Sequence, residues 1–367
     1  MLTCQDVFKV MERIAPASLA EAWDNSGLQV GNPQAEVKNI LLALDFDRSV
    51  LQEAVEQDCQ LIITHHPFLF RGVKKIDFAA YEGSLIRDLA KWDISLFSAH
   101  TNLDSVEGGV NDQLAKLLEL EQVELLNGAS AEKLFKLTVF VPEDYLEAVQ
   151  KSLWQAGAGQ IGKYEQCSFA GSGTGTFLPQ EQAQPFIGQI GELTRVPEFR
   201  LEVIFSQRRL KAVLAALRQA HPYEEPAFEY FPIQPSSRQV GLGRLGNLPQ
   251  PMQLSQLLAC LQENLNLKHL RYGGREESLI SRVALCGGSG SDFWLEALAQ
   301  GAEVFITGDV KYHEARNMLE NKLSFVDVGH YASEIIVLPF LKQALSNALP
   351  ELNFYLSQVN GEPFKFK

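Results

Sequence analysis

The chain has 367 residues, 46% hydrophobic and 21% charged, which is ordinary globular composition at a length comfortable for two domains. Forty-five acidic residues against thirty-two basic ones give a formal charge of −13, and the densest basic spots are only Arg208-Arg209-Leu210-Lys211 and Lys74-Lys75, so nucleic-acid binding through phosphates is disfavoured. Five scattered cysteines with no C-x-x-C spacing, an opening without a basic-then-apolar signal pattern, and no apolar run near membrane-spanning length predict a cytoplasmic protein that does not enter the membrane.

Thr3 and Asp6 predict a capped amphipathic helix whose apolar stripe is Val7, Val10, Met11 and Ile14, and Pro16 ends it. Trp23-Asp24-Asn25-Ser26-Gly27 reads as a turn-rich stretch. Strands and helices then alternate: strand 40–44, helix 49–57, strand 61–63, helix 84–91, strand 94–97, helix 109–118. That rhythm predicts a layered α/β domain. Near residue 130 it changes. Phe135, Leu137, Val139 and Val141 alternate with Lys136, Thr138 and Phe140, the pattern of an edge-exposed strand. Helix 143–156, a Gly-rich hairpin region at 157–177, strand 200–205, helix 207–220 and strand 227–233 follow. The order β-α-β-β-α-β is ferredoxin-like. A faint repeat agrees with it: Leu146, Ala148, Val149 and Leu153 recur at the same spacing as Leu210, Ala212, Val213 and Leu217. Pro235-Ser236-Ser237-Arg238 reads as a linker. From about 245 the first rhythm returns, with helix 253–265, strand 282–286, helix 292–299, strand 303–306, helix 311–320, strand 324–328 and helix 331–346. The expected fold class is α/β. A core of layered sheet and helices is split into residues 1–127 and 239–367, and an inserted ferredoxin-like α+β domain occupies 128–238.

The chemistry-bearing residues sit at strand ends. His65-His66 follows Leu61-Ile62-Ile63-Thr64, and His100 with Asp104 follows Leu96-Phe97-Ser98-Ala99. Asp309 with His313 follows Val304-Phe305-Ile306-Thr307, and His330 with Glu334 follows Phe325-Val326-Asp327-Val328. The carboxyl ends of strands form the ligand crevice of an α/β sheet, so these groups are expected to converge. A lone histidine is an ordinary core or helix-end group; four matching strand ends are not a coincidence of that kind. His330 and Glu334, one helical turn apart, face the same way. A turn at His65-His66 would let each ring serve one of two metals. Imidazole and carboxylate without thiolate suit Zn, Fe or Mn, in a site that activates water rather than a structural one.

These motifs resemble a known family. Thr64-His65-His66-Pro67, Ala99-His100-Thr101-Asn102-Leu103-Asp104, Thr307-Gly308-Asp309-Val310-Lys311-Tyr312-His313 and Val328-Gly329-His330-Tyr331-Ala332-Ser333-Glu334 are similar to those of the Nif-three-like dinuclear metal proteins, often labelled GTP cyclohydrolase type 2 homologues. So is Trp23 to Gly31. His221-Pro222-Tyr223-Glu224-Glu225-Pro226 matches members carrying the inserted domain. The resemblance covers nearly the whole chain. It implies that His65, His66, Asp104, His330 and Glu334 ligate two divalent metals per subunit. It also implies a ring-shaped homo-hexamer built from dimers, and an insert resembling the PII and CutA regulatory domains.

Two roles follow as expectations. One is a metal-dependent hydrolase acting on a small substrate such as a nucleotide, by GTP cyclohydrolase type 2-like or phosphoester hydrolysis, with His100 and His313 as proton carriers beside the metals. The other is a non-catalytic metal-binding regulatory or scaffold protein whose insert senses a small ligand. Cys286-Gly287-Gly288-Ser289-Gly290-Ser291 is read as a tight turn capped by Ser291 rather than a phosphate cradle. Asp309 and Lys311 are weaker site candidates, and Trp23 to Gly31 is read as a structural loop near the site.

Overall fold

The computed structural model of the protein describes residues 1–128, 134–161, 164–233 and 240–365. The expected linker at Pro235–Arg238 lies outside them. The chain divides into two compact units, one formed by Met1–Ala129 with Gln239–Lys367 and the other by Ser130–Arg238.

The first unit opens with α1 (Cys4–Ile14), β1 (Gly27–Val30), β2 (Asn39–Ala43), α2 (Arg48–Glu56), β3 (Leu61–Thr64), α3 (Tyr81–Lys91), β4 (Ser95–Ser98), α4 (Thr101–Ser105), α5 (Val110–Leu117) and β5 (Glu121–Gly128). The second unit holds β6 (Leu134–Pro142), α6 (Leu146–Gln155), β7 (Phe169–Phe177), β8 (Thr194–Ser206), α7 (Leu210–Ala220) and β9 (Phe228–Ile233). The first unit resumes with β10 (Gly241–Gln253), α8 (Leu254–Asn264), β11 (Arg271–Gly273), β12 (Leu279–Leu285), α9 (Trp294–Ala299) and β13 (Val304–Thr307). It ends with α10 (Tyr312–Glu320), β14 (Ser324–Asp327), α11 (His330–Glu334), α12 (Val337–Ala348) and β15 (Asn353–Leu356). No helix among the described residues is long and apolar enough to cross a membrane.

The fold is α/β, and its strand–helix rhythm builds two core sheets rather than one. Their orders are β1-β4-β3-β2-β15 and β11-β14-β13-β12-β10-β5. Each has a parallel centre, β2-β3-β4 in one and β12-β13-β14 in the other. Each also borrows a strand from the other half of the chain, β15 alongside β2 and β5 alongside β10. The parallel strands are covered on both faces, which explains why they read as unbroken apolar runs. Ile40 and Leu42 pack with Val7 and Met11 of α1 and Leu341 of α12, while Leu41 and Ile62 pack with Leu51 of α2 and Leu85 of α3. Strand period 2 sends neighbours to opposite layers. The helix expected over 331–346 is two helices. Pro339 has no N–H to give the Ile335 carbonyl, so the chain restarts at Val337.

In the second unit the sheet order is β7-β8-β6-β9, antiparallel throughout, which is the ferredoxin-like arrangement. The repeat is the helix layer: Val149 and Leu153 of α6 and Val213 and Leu217 of α7 are all fully buried against Leu137, Val139 and Leu201. β6 is not an edge. It lies between β8 and β9, and its alternation instead separates a helix-covered face from an opposite face carrying Lys136, Thr138 and Phe140.

Candidate metal centre

After β3 the chain continues beside β2, with the His65 and His66 amides donating to the Ala43 and Leu44 carbonyls at 3.2 and 3.0 Å. The Thr64 hydroxyl donates to the His66 carbonyl at 2.8 Å, closing a turn that Pro67 cannot extend as a strand. The two rings therefore do not point to opposite faces; their centroids are 5.0 Å apart. β4 delivers His100, immediately before α4, and Asp104 within it. In the second sheet, β13 is followed by Asp309, and β14 by Gly329 and α11, which carries His330 and Glu334.

Four imidazoles are held in one tautomer. His65 Nδ1 lies 2.9 Å from the Ala99 carbonyl, His66 Nδ1 2.7 Å from Asp45, His100 Nδ1 2.9 Å from Asp24 and His330 Nδ1 2.8 Å from Asp309. A carbonyl or carboxylate oxygen only accepts, so each Nδ1 carries a proton and Nε2 is the nitrogen left for other partners. His66 and His330 bring Nε2 atoms to 3.2 Å from each other. Glu334 Oε2 lies 2.9 Å from His66 Nε2 and 3.1 Å from His330 Nε2, while Oε1 is 3.7 Å from His65 Nε2. Asp104 Oδ1 is 3.5 Å from His65 Nε2. Between neutral imidazoles and ionised carboxylates these short approaches set lone pair against lone pair, so the centre demands protons or a metal ion. Accordingly His65 Nε2, Asp104 Oδ1 and Glu334 Oε2 are buried with no hydrogen-bond partner, a costly arrangement unless a cation fills the centre.

The electrostatics show the same demand for positive charge. Burial disfavours a charged imidazole, yet His66 is pushed up to about 10 by Asp45 and Glu334, and His330 to about 9 by Glu334 and Asp309. His65 is raised despite complete burial, by Asp104 and Glu334. Burial raises Asp104 to about 6, whereas Glu334 stays ionised because the surrounding histidines outweigh its burial. Cys286 also lines this cavity, but burial and the same carboxylates push its thiol up, so it is a neutral neighbour and not a thiolate donor. Two donor groups satisfy metal-ligand spacing among the described residues, His65–His66–His100 and His66–His330–Glu334, with the donor atoms of each within 4.8 Å of one another.

The cluster opens into a cavity of about 670 Å³ walled by Trp23, Phe70 and the Gly287–Gly290 loop. That loop is not a phosphate cradle: the Gly287, Gly288 and Gly290 amides donate to Asn111 Oδ1, Ser333 Oγ and Thr307 Oγ1. Nor does Ser291 cap a helix; Gly290 holds the cap position and the Ser291 side chain bonds Glu314. Asp309 belongs to the centre through His330. Lys311 pairs with Glu314 at 3.3 Å and takes no part. His313 is not brought into this cluster: it is exposed on the first turn of α10, its ring edge-on to Tyr312. His100 does line the cavity. Sequence reasoning missed Asp24, Asp45 and Asn111. Asp24 is held well below the usual carboxylate range: burial opposes this, and hydrogen bonds from His100, Thr101 and Ser26 prevail.

Comparison with known proteins gives the family. The Duf34/NIF3 (NGG1p interacting factor 3) family profile matches residues 2–363. The chain belongs to the Duf34/NIF3 family. Relatives named "GTP cyclohydrolase 1 type 2 homolog" include one from Bacillus subtilis, 38% identical over 99% of this chain and 98% of its own, and one from Listeria innocua, 40% identical over 97% of both. Among solved structures, a Bacillus cereus protein related to NIF3 superposes with a TM-score of 0.85 at 35% identity, covering 100% of this chain and 99% of that one. A Staphylococcus aureus protein gives 0.80 at 31%, with the same coverage. Among the described residues of this NIF3 chain, the histidine and glutamate groups above could hold a metal.

Proposed function

We propose that the protein is a metal-dependent hydrolase holding two divalent ions, of the Zn, Fe or Mn class, through His65, His66, Asp104, His330 and Glu334. The observation that carries this reading is the four imidazoles whose Nδ1 protons are all committed to oxygen, leaving Nε2 atoms to meet buried, unpartnered carboxylate oxygens. Glu334 supports a pair rather than a single ion, since one oxygen faces His65 and the other His66 and His330. Ions bound there would lower the pKa of water and offset charge on a leaving group. His100, its ring fixed by Asp24, keeps Nε2 available to hold or move a proton at the cavity wall. Trp23 and Phe70 both stand edge-on to it, at 5.9 and 6.4 Å between centroids, and supply apolar surface against which a heteroaromatic base can rest.

The substrate class is a small nucleotide or phosphoester, with GTP the first compound to test because the relatives carry the cyclohydrolase name. The expected assembly is a homo-hexamer, checked by sedimentation. The deciding experiment measures metal content and turnover of GTP and simple phosphoesters side by side. Asp104→Ala and His330→Ala should lose metal and activity together. His100→Ala should keep metal and lose turnover by about a hundredfold. Activity that survives loss of Asp104 and His330, or fully metallated wild type with no turnover, overturns the hydrolase and leaves a metal-binding regulatory role.

A further inference from the structure

The second unit contains a cavity of its own, about 770 Å³, within the range of small-ligand sites. β7 builds its floor. In Phe169-Ala170-Gly171-Ser172-Gly173-Thr174-Gly175-Thr176-Phe177 a glycine stands at alternate positions, and period 2 puts Gly171, Gly173 and Gly175 on one face. Gly171 pairs with Arg200 and Gly173 with Glu198 on β8, so the face opposite the helices is hollowed where side chains are missing.

Into this hollow β8 sends a carboxylate. Glu198 is only 8% exposed, and its Oε1 accepts the Tyr223 hydroxyl at 2.9 Å. Its Oε2 lies 2.0 Å from where a Cβ on Gly175 would sit, so glycine there is what admits the carboxylate. No hydrogen bond to Oε2 is present among the described residues. That oxygen is open to the cavity, where a carboxylate can accept from a donor on a bound molecule. His221 fixes the wall: its Nε2 donates to the Phe140 carbonyl at 2.9 Å, and its Nδ1 accepts the Tyr223 amide at 3.1 Å. Glu224 ties in the loop after β7 by accepting the Gln184 amide at 2.8 Å. Phe177 and Phe186 stand 5.9 and 6.2 Å from Tyr223, centroid to centroid. Glu198, Glu224 and Glu225 line the space against one guanidinium, Arg200, which pairs with Glu202 at 2.8 Å. Carboxylates and aromatic faces both favour positive charge.

We propose that this cavity is a second binding site, separate in chemistry from the metal centre, for a small organic cation: an ammonium group on an aromatic or aliphatic body. The ammonium donates to Glu198 Oε2, and the body lies among Phe177, Phe186 and Tyr223. The His221-Pro222-Tyr223-Glu224-Glu225-Pro226 segment thereby becomes a binding wall rather than only a turn that ends a helix.

The test titrates the full-length protein calorimetrically with 2-phenylethylamine and with 2-phenylethanol, its neutral analogue. The amine should bind saturably, one per chain, and the alcohol about tenfold or more weakly. Glu198→Gln should cost the amine about tenfold and leave the alcohol unchanged. Gly173→Val provides a second, fold-sparing variant. The nearest atom to a Cβ there is the Glu198 carbonyl oxygen at 3.9 Å, and valine suits a strand, so the side chain should fill the floor and abolish binding at unchanged melting temperature. His330→Ala should leave amine affinity untouched. Equal affinity for amine and alcohol, no saturation by the amine, amine affinity unchanged in Gly173→Val, or amine affinity lost in His330→Ala would each overturn the proposal.

Discussion

Gly288 offers a sharp probe of the candidate metal centre, because two separate penalties meet there. Its φ is +63°, a left-handed conformation that costs an L-residue about 1–2 kcal/mol. A Cβ at this position would also lie 2.1 Å from Glu334 Oε1 and 3.4 Å from His330 Nε2. The carboxylate would have to retreat by about 1 Å, several times the roughly 0.2 Å tolerance of a metal–ligand distance. Gly301 separates the two effects. Its φ is +80°, and nothing lies within 4 Å of its virtual Cβ. Gly288→Ala and Gly301→Ala should both lower Tm in chelator by about 3–6 °C, but only Gly288→Ala should lose metal affinity, by about 10–100-fold. Melting in chelator and elemental analysis after dialysis against limiting Zn measure the two terms separately. Full metal retention by Gly288→Ala, or equal loss by Gly301→Ala, would refute the placement of Glu334 in the site.

The carboxylates behind the histidines should matter nearly as much as the ligands. Asp45→Asn and Asp309→Asn should each weaken metal binding by about 10–100-fold, read by competition with a chromophoric chelator, with unchanged far-UV circular dichroism. Arg244 is buried and pairs with Asp112, and it also donates to the Gly241, Gly243 and Val106 carbonyls. Arg244→Met strands that acid and three acceptors, so urea unfolding should show a loss of about 3–5 kcal/mol; a loss below 1 kcal/mol would contradict the pairing. Asp24 has a depressed folded-state pKa, so its contribution to stability is present above its unfolded value near 3.8 and fades as pH falls further. The Tm gap between wild type and Asp24→Asn, measured in chelator, should therefore hold from pH 7 to about 5 and close below about 4; a gap that widens on acidification would reverse the assigned sign.

The regular parts of this fold were legible because burial writes itself into the chain as period. Leu61-Ile62-Ile63 reads as a strand since both faces are covered, and α6 and α7 show their buried positions twice over. The strands that could not be read owe their state to pairing. β10 runs through Gly241-Leu242-Gly243-Arg244-Leu245-Gly246-Asn247-Leu248-Pro249, poor strand material by propensity. It is extended because β5 and β12 bond it on either side, with register shifts that accommodate the breaks. β5 itself is largely exposed and polar at Glu121, Gln122 and Glu124. The seating of β15 against β2 joins segments from opposite ends of the chain, which local pattern cannot express.

The site follows the same division. Donor types and strand-end positions are local, and they point to His65, His66, His100, Asp104, His330 and Glu334. Asp45 carried the same signal, standing just past the end of β2 as His65 stands past β3, and it went unread because a single acid after a strand is common. Asp24 lay within the Trp23 to Gly31 stretch, read as a structural loop near the site, and its own part, bonding His100 while held by Ser26 and Thr101, shows only in the fold. His313 shows the limit from the other side: it has the right residue type after the right strand, yet the first turn of α10 points it to solvent. What makes an imidazole a ligand is which nitrogen holds the proton, and that is decided by an oxygen brought from another element: Ala99 for His65, Asp45 for His66, Asp309 for His330. None of those partners adjoins its histidine in sequence. The capacity of the histidines to hold a metal is thus a property of the packed sheets, and a variant that disturbs their register should lower metal content even with every candidate ligand in place.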